Sequence, residues 1–122
     1  MPKFFITTLG CKVNQAESEA IAQELLSSDW AAARGCGQAE VCIVNTCTVT
    51  GRADYQSRQA VRRAKRDVGD GPVIVTGCSV VVYPEAIETC GVDAVMVHPD
   101  SRDTIPDIMQ DLIGPPMGGT DD

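Results

Sequence analysis

Short apolar runs alternate along the chain with longer stretches whose apolar positions recur every three to four residues. Phe4-Phe5-Ile6 with Thr7 and Thr8 predicts a strand over Lys3 to Leu9, closed by Gly10. Asn14 to Ser28 reads as a helix. Asn14 and Glu17 form a capping-box pattern, and Ile21, Ala22, Leu25 and Leu26 make one apolar face. A short strand is expected from Trp30 to Ala33, then a loop at Arg34-Gly35-Cys36-Gly37. Val41-Cys42-Ile43-Val44, within Glu40 to Asn45, is continuously apolar, as suits a strand buried on both faces.

Gly51 to Val68 predicts a second helix, with Ala60, Val61, Ala64 and Val68 inward and Arg58, Arg62 and Arg66 on another face. Gly69-Asp70-Gly71-Pro72 ends it, and Val73-Ile74-Val75 marks the next buried strand, Pro72 to Thr76. Pro84 to Cys90 reads as a short helix, Val92 to Val97 as a last strand and Ser101 to Ile113 as a last helix. Gly114 to Asp122 is rich in Gly, Pro and Asp and reads as a flexible tail or linker, which leaves 1–113 as one domain. Strands alternate with helices throughout. The fold class expected is α/β: a flavodoxin- or Rossmann-like open, mainly parallel sheet of four to five strands with helices on both faces.

Composition narrows this picture. Hydrophobic residues are 43% of the 122 but aromatics only 4%, so the core must be aliphatic. The start lacks a signal-peptide pattern and no apolar run reaches membrane-span length, so no membrane partner is expected and the cytoplasm is the expected compartment. There, six cysteines read as metal ligands, catalytic thiols or core residues before disulfides. The formal net charge is −7. Arg52, Arg58, Arg62, Arg63, Lys65 and Arg66 against Asp54 make a local +5, which leaves −12 on the rest. The whole is not a nucleic-acid-binding composition, but one basic face is available.

The cysteines sort by position. Cys11, Cys47 and Cys78 each follow the carboxyl end of an expected strand. Parallel strands would bring these turns to one rim, where sites in open α/β sheets form. Three convergent thiolates suit an iron–sulfur cluster, with one iron of a cubane left open to an outside ligand. Gly10 and Gly77 would let backbone approach a bulky group closely. The residues alone leave open a second reading, in which all six are ordinary structural cysteines. Cys42 inside its strand reads as a core residue, Cys90 before Gly91 as a core or surface thiol, and Cys36 as an exposed loop thiol. His98 closes the last strand as a capping or rim residue, and no Cys–His pairing follows from it.

Thr8-Leu9-Gly10-Cys11-Lys12-Val13-Asn14-Gln15, Val44-Asn45-Thr46-Cys47-Thr48-Val49-Thr50 and Val75-Thr76-Gly77-Cys78, with Ser57-Arg58-Gln59-Ala60, Arg62-Arg63 and Pro84-Glu85, resemble the amino-terminal domain of radical-SAM methylthiotransferases. The likeness runs from about Lys3 to Leu112. The first two motifs look most like the branch acting on threonylcarbamoyl-adenosine beside the tRNA anticodon. The branches acting on isopentenyl-adenosine and on a ribosomal protein carry other residues after the first cysteine. The resemblance implies that Cys11, Cys47 and Cys78 bind an auxiliary [4Fe–4S] cluster. Its open iron site would hold or donate the sulfur of the methylthio group. Asn14, Asn45 and Thr46 are then candidates for supporting the cluster loops.

The resemblance also implies a second [4Fe–4S] cluster and S-adenosylmethionine in a radical-SAM core in cis, with tRNA as substrate. The motif for that core, Cys-x3-Cys-x2-Cys, is absent from this chain, which by itself is expected to show no turnover. After Gly77-Cys78 the family usually has an aromatic, then Ala and Gln, where this chain has Ser79-Val80-Val81. Arg58, Arg62, Arg63 and Arg66 are candidates for contact with RNA or a neighbouring domain, against the plainer reading of a solvated helix face. No stacking aromatics are interleaved, and Tyr55 is the only one nearby. The competing functional readings are a non-enzymatic flavodoxin-like binding module with structural cysteines, or a methylthiotransferase of the isopentenyl-adenosine or ribosomal-protein branch.

Overall fold

A computed structural model describes residues 3–9, 12–28, 30–46, 51–69, 71–77, 80, 94–98 and 104–113. The strands are β1 (Lys3–Thr8), β2 (Ala31–Ala32), β3 (Val41–Thr46), β4 (Val73–Gly77) and β5 (Ala94–Met96). The helices are α1 (Lys12–Ser27), α2 (Gly51–Val68) and α3 (Ile105–Ile113), with one 3-10 turn at Cys36–Gln38. The sheet has five strands in the order β2-β1-β3-β4-β5, and every pairing is parallel. This is the open α/β architecture that the alternation of patterns predicts. The expected helix at Pro84 to Cys90 and the expected tail lie outside the described residues.

Connectivity decides which helix covers which face. The chain goes from β1 through α1 to β2 in one direction along the sheet, and from β3 through α2 to β4 in the other. Right-handed crossovers then put α1 and α2 on opposite faces. The two core clusters agree. Ile21 and Leu25 of α1 and Ile105 and Met109 of α3 pack on Phe4, Val41, Ile43 and Ile74. Ala60, Val61 and Ala64 of α2 pack on Cys42, Val44, Val73 and Val75. Side chains alternate between faces along a strand, so β3 must be apolar at successive positions to feed both clusters. All six of its residues are buried.

Two local expectations change. α1 starts at Lys12, so Asn14 stands inside its first turn and is not the capping residue. Its amide turns to the sheet, as described below. The loop expected at 34–37 tightens into the 3-10 turn at its Cys36 end. α2 ends as expected: Gly69 has φ +68°, the left-handed conformation that terminates helices, and Lys65 Nζ donates to the Gly71 carbonyl at 3.1 Å.

Candidate site at the carboxyl ends of the strands

The direction of winding reverses between β1 and β3, and in open α/β sheets ligands bind outside the strand ends at such a switch point. Here the ends of three strands lie side by side. Thr8 pairs with Asn45, Asn45 with Thr76, and Thr46 with Gly77. Gly10-Cys11 links β1 to α1, Cys47 directly follows Thr46, and Cys78 directly follows Gly77. The three cysteines themselves lie outside the described residues, as do Gly10, Ser79 and Val81. Val80, at the position where the family usually has Ala, is described and packs against the α2-side core.

At these strand ends the apolar core gives way to a largely buried polar layer. Two residues on from Ile6, Ile43 and Ile74, and so on the same α1-facing side, stand Thr8, Asn45 and Thr76. Asn14 of α1 donates from Nδ2 to the Leu9 carbonyl at 2.7 Å and to the Thr46 carbonyl at 2.9 Å. One side chain thus ties the strand ends leading to the first and second cysteines. Asn45 Nδ2 donates back to the Asn14 carbonyl at 2.9 Å and to Ser18 Oγ at 3.1 Å. Thr8 Oγ1 donates to Ser18 Oγ at 2.6 Å, and Thr46 Oγ1 donates to the Thr76 carbonyl at 2.8 Å. Buried amides and hydroxyls persist when they are bonded, and this layer is bonded across three strands and a helix.

Two atoms of the layer are exceptions. Asn45 Oδ1 and Thr76 Oγ1 are buried and make no hydrogen bond among the described residues. A buried polar atom left in that state costs about 1–3 kcal/mol, which marks the rim as a place where packing is not the governing demand. Gly77 adds a steric signature. Its φ is +101°, and a Cβ there would lie 2.7 Å from the Thr46 nitrogen and 2.8 Å from Asn45 Oδ1. Only glycine lets the chain turn this closely past β3 into the third cysteine.

Sequence reasoning identified Asn14, Asn45 and Thr46 and missed Thr8, Ser18 and Thr76. A signal for them existed. Ser18 lies four residues after Asn14 on one helix face, and Thr8 and Thr76 are polar positions closing apolar strands.

Cys42 is fully buried in the α2-side core, as expected, but its sulfur is engaged in a disulfide, which was not expected. An apolar run reads the same for a thiol and for a half-cystine, since both are buried. Thr46 is four strand residues from Cys42, about 13 Å at the usual rise. A disulfide needs Cα atoms within about 7 Å. The strand ends that lead to Cys47 and Cys78 are therefore out of its reach. Cys36 lies on the 3-10 turn and Cys90 outside the described residues. Among the described residues, no group of three His, Cys, Asp or Glu side chains is placed to hold a metal ion.

On α2, Arg62, Arg63 and Arg66 are exposed, whereas Arg58 is half-buried. Arg66 pairs with Asp67 at 3.5 Å. Tyr55 is 57% exposed. His98 is exposed just past β5.

A family model described as uncharacterized protein family UPF0004 matches residues 3–97. The chain belongs to this family. Several of its relatives are named as tRNA methylthiotransferases. The chain is 44% identical over 90 residues to threonylcarbamoyladenosine tRNA methylthiotransferase MtaB of Bacillus subtilis, which covers 73% of this chain and 20% of that protein. It is 33% identical over 115 residues to the protein of the same name from Treponema pallidum, 88% of this chain and 24% of that one. A tRNA-2-methylthio-N(6)-dimethylallyladenosine synthase of Sorangium cellulosum is 32% identical over 117 residues, 92% of this chain and 23% of that one. The chain thus spans between a fifth and a quarter of the length of these curated relatives. As a UPF0004 member it has the amino-terminal domain of the methylthiotransferases, the family that its three cysteine motifs resemble. No helix among the described residues is long and apolar enough to cross a membrane.

Proposed function

We propose that this domain carries the auxiliary [4Fe–4S] cluster of a tRNA methylthiotransferase acting on threonylcarbamoyl-adenosine beside the anticodon. The observation that carries the reading is the juxtaposition of the three strand ends that lead into Cys11, Cys47 and Cys78. The residues around them fit such a group. Gly77, with no Cβ, lets the backbone turn tightly against β3 just before the third cysteine, and Thr76 Oγ1 beside it is a hydroxyl free to donate to sulfur. Cys11, Cys47 and Cys78 would hold the cluster, which when bound supplies an iron able to take a sulfur ligand.

This chain's other residues have a positioning task. Asn14 holds the first two ligand loops at one spacing through Leu9 and Thr46, Asn45 fixes Asn14 in turn, and Thr46 fastens β3 to β4. Arg62, Arg63 and Arg66 form the exposed basic stripe offered to tRNA phosphates or to the radical-SAM domain. Half-buried Arg58 supports the base of that stripe. The radical step needs S-adenosylmethionine and a second cluster in a further domain, so this chain alone turns nothing over. The choice of branch rests on MtaB names among the relatives and on the Gly10-Cys11-Lys12-Val13-Asn14 motif; the Sorangium relative bears the name of the other tRNA branch.

Anaerobic reconstitution with iron and sulfide tests the proposal. The wild-type chain should take up both, and Cys11→Ser, Cys47→Ser and Cys78→Ser should each lose most of the uptake. Equal uptake by all four proteins overturns the cluster assignment. Methylthiolation of tRNA by the 122-residue chain alone would overturn the division of labour.

A further inference from the structure

Among the described residues, the outer edge of β1 is only half used. Its register with β2 covers Lys3 and Phe4 alone, and the Ala33 amide closes that ladder on the Phe4 carbonyl at 2.7 Å. On the other side, the Lys3 carbonyl accepts from the Glu40 amide just before β3, and the Leu9 amide donates to the Asn45 carbonyl of β3. Backbone groups alternate in direction along a strand, so those of Ile6 and Thr8 point to the side where β2 has already ended. No pairing of either on that side is formed among the described residues.

A groove flanks this free edge on each face of the sheet. On the α1 face a cavity of about 440 Å³ is lined by Phe4, Ile6, Ala22 and Ala33, with Gln15 and Glu19 also on its wall. On the α2 face a cavity of about 240 Å³ is lined by Phe5, Thr7, Ala60, Arg63 and Asp67. Asp67 is paired with Arg66, and exposed Arg63 forms no ion pair among the described residues.

We propose that the free half of β1 is a docking edge for an extended segment of a partner polypeptide whose side chains alternate apolar and acidic. The segment adds a sixth strand. Its main chain pairs with Ile6 and Thr8, its apolar side chains enter the α1-side groove, and its carboxylates meet Arg63. Strand addition to an exposed edge with pockets for alternate side chains is a recurrent mode of peptide recognition. A second copy fits less well. β1 would present only its own Phe5 and Thr7 to the α2 face, which leaves Arg63 without a carboxylate. The inference is independent of the cluster reading and involves none of the cysteines.

The test uses the 122-residue chain with two synthetic octapeptides, (Val-Glu)4 and (Val-Lys)4, and amide hydrogen exchange. The chain's net charge of −7 favours the lysine peptide non-specifically, so a preference for the glutamate peptide must arise locally. (Val-Glu)4 should bind and slow exchange at Ile6 and Thr8 at least tenfold. Arg63→Glu should weaken that binding at least tenfold and transfer the preference to (Val-Lys)4. Ala22→Phe, which fills the α1-side groove, should weaken both peptides. Absent binding, unchanged exchange at Ile6 and Thr8, a wild-type preference for (Val-Lys)4, indifference to either substitution, or dimerisation through this edge would each overturn the proposal.

Discussion

The first four residues of β3 and its last two are equally buried, yet they serve different ends. Val41 to Val44 feed two apolar cores, and the half-cystine Cys42 takes its place among them. Asn45 and Thr46 sit at the same depth but spend their side chains on hydrogen bonds to α1 and β4. Burying amides and hydroxyls where valines would pack is tolerated only while their bonds are made. Among the described residues, two of the layer's atoms forgo even that. The lower part of the strand packs two cores, and the upper part ties the strand end to α1 and β4. Burial alone does not separate the two; polarity at depth does.

Substitutions at the two ends should therefore split stability from iron binding. The largest stability effect belongs below. Ile43→Ala should cost about 3–4 kcal/mol in urea unfolding, from the lost burial and the cavity left behind. The iron bound per folded chain should stay unchanged. Gly77→Ala should cost about 2–3 kcal/mol, because alanine at φ +101° is strained and its Cβ overlaps β3. Unlike Ile43→Ala, it should also abolish iron uptake. Asn14→Ala strips the Leu9 and Thr46 carbonyls of their donor and should cost about 1–3 kcal/mol. It should slow cluster assembly well beyond that loss of stability, measured as the rate of anaerobic iron incorporation into folded protein.

The smallest stability effect is expected on α2. Replacing Arg62, Arg63 and Arg66 by alanine should change stability by no more than about 0.5 kcal/mol each. If these residues meet tRNA phosphates, the slope of log affinity against log salt should fall by about 0.7–0.9 for each phosphate no longer neutralised. An unchanged slope assigns the stripe to a neighbouring domain.

Much of this organisation was legible in the sequence. The continuous apolar runs of β3 and β4 announced strands buried on both faces, and a parallel sheet brings the ends of β1, β3 and β4 side by side as the alternation of patterns predicts. What escaped was the use made of individual polar side chains. Asn14 satisfies a capping pattern on paper, but α1 starts two residues earlier and frees its amide for the sheet. The switch point between β1 and β3 depends on the order in which strands pair, which no local pattern encodes. Cys42 carries no sequence mark of its disulfide, because the partner of a half-cystine is chosen by the fold.

Cys42 and Cys47 stand five residues apart, and they offer the most direct test. Cys42→Ser and Cys47→Ser, each reconstituted anaerobically alongside the wild type, should diverge completely. Cys42→Ser should retain wild-type iron and sulfide per folded chain, and Cys47→Ser should retain little of either. Equal uptake by both variants, or loss in Cys42→Ser alone, would contradict the separation of structural from ligand cysteines.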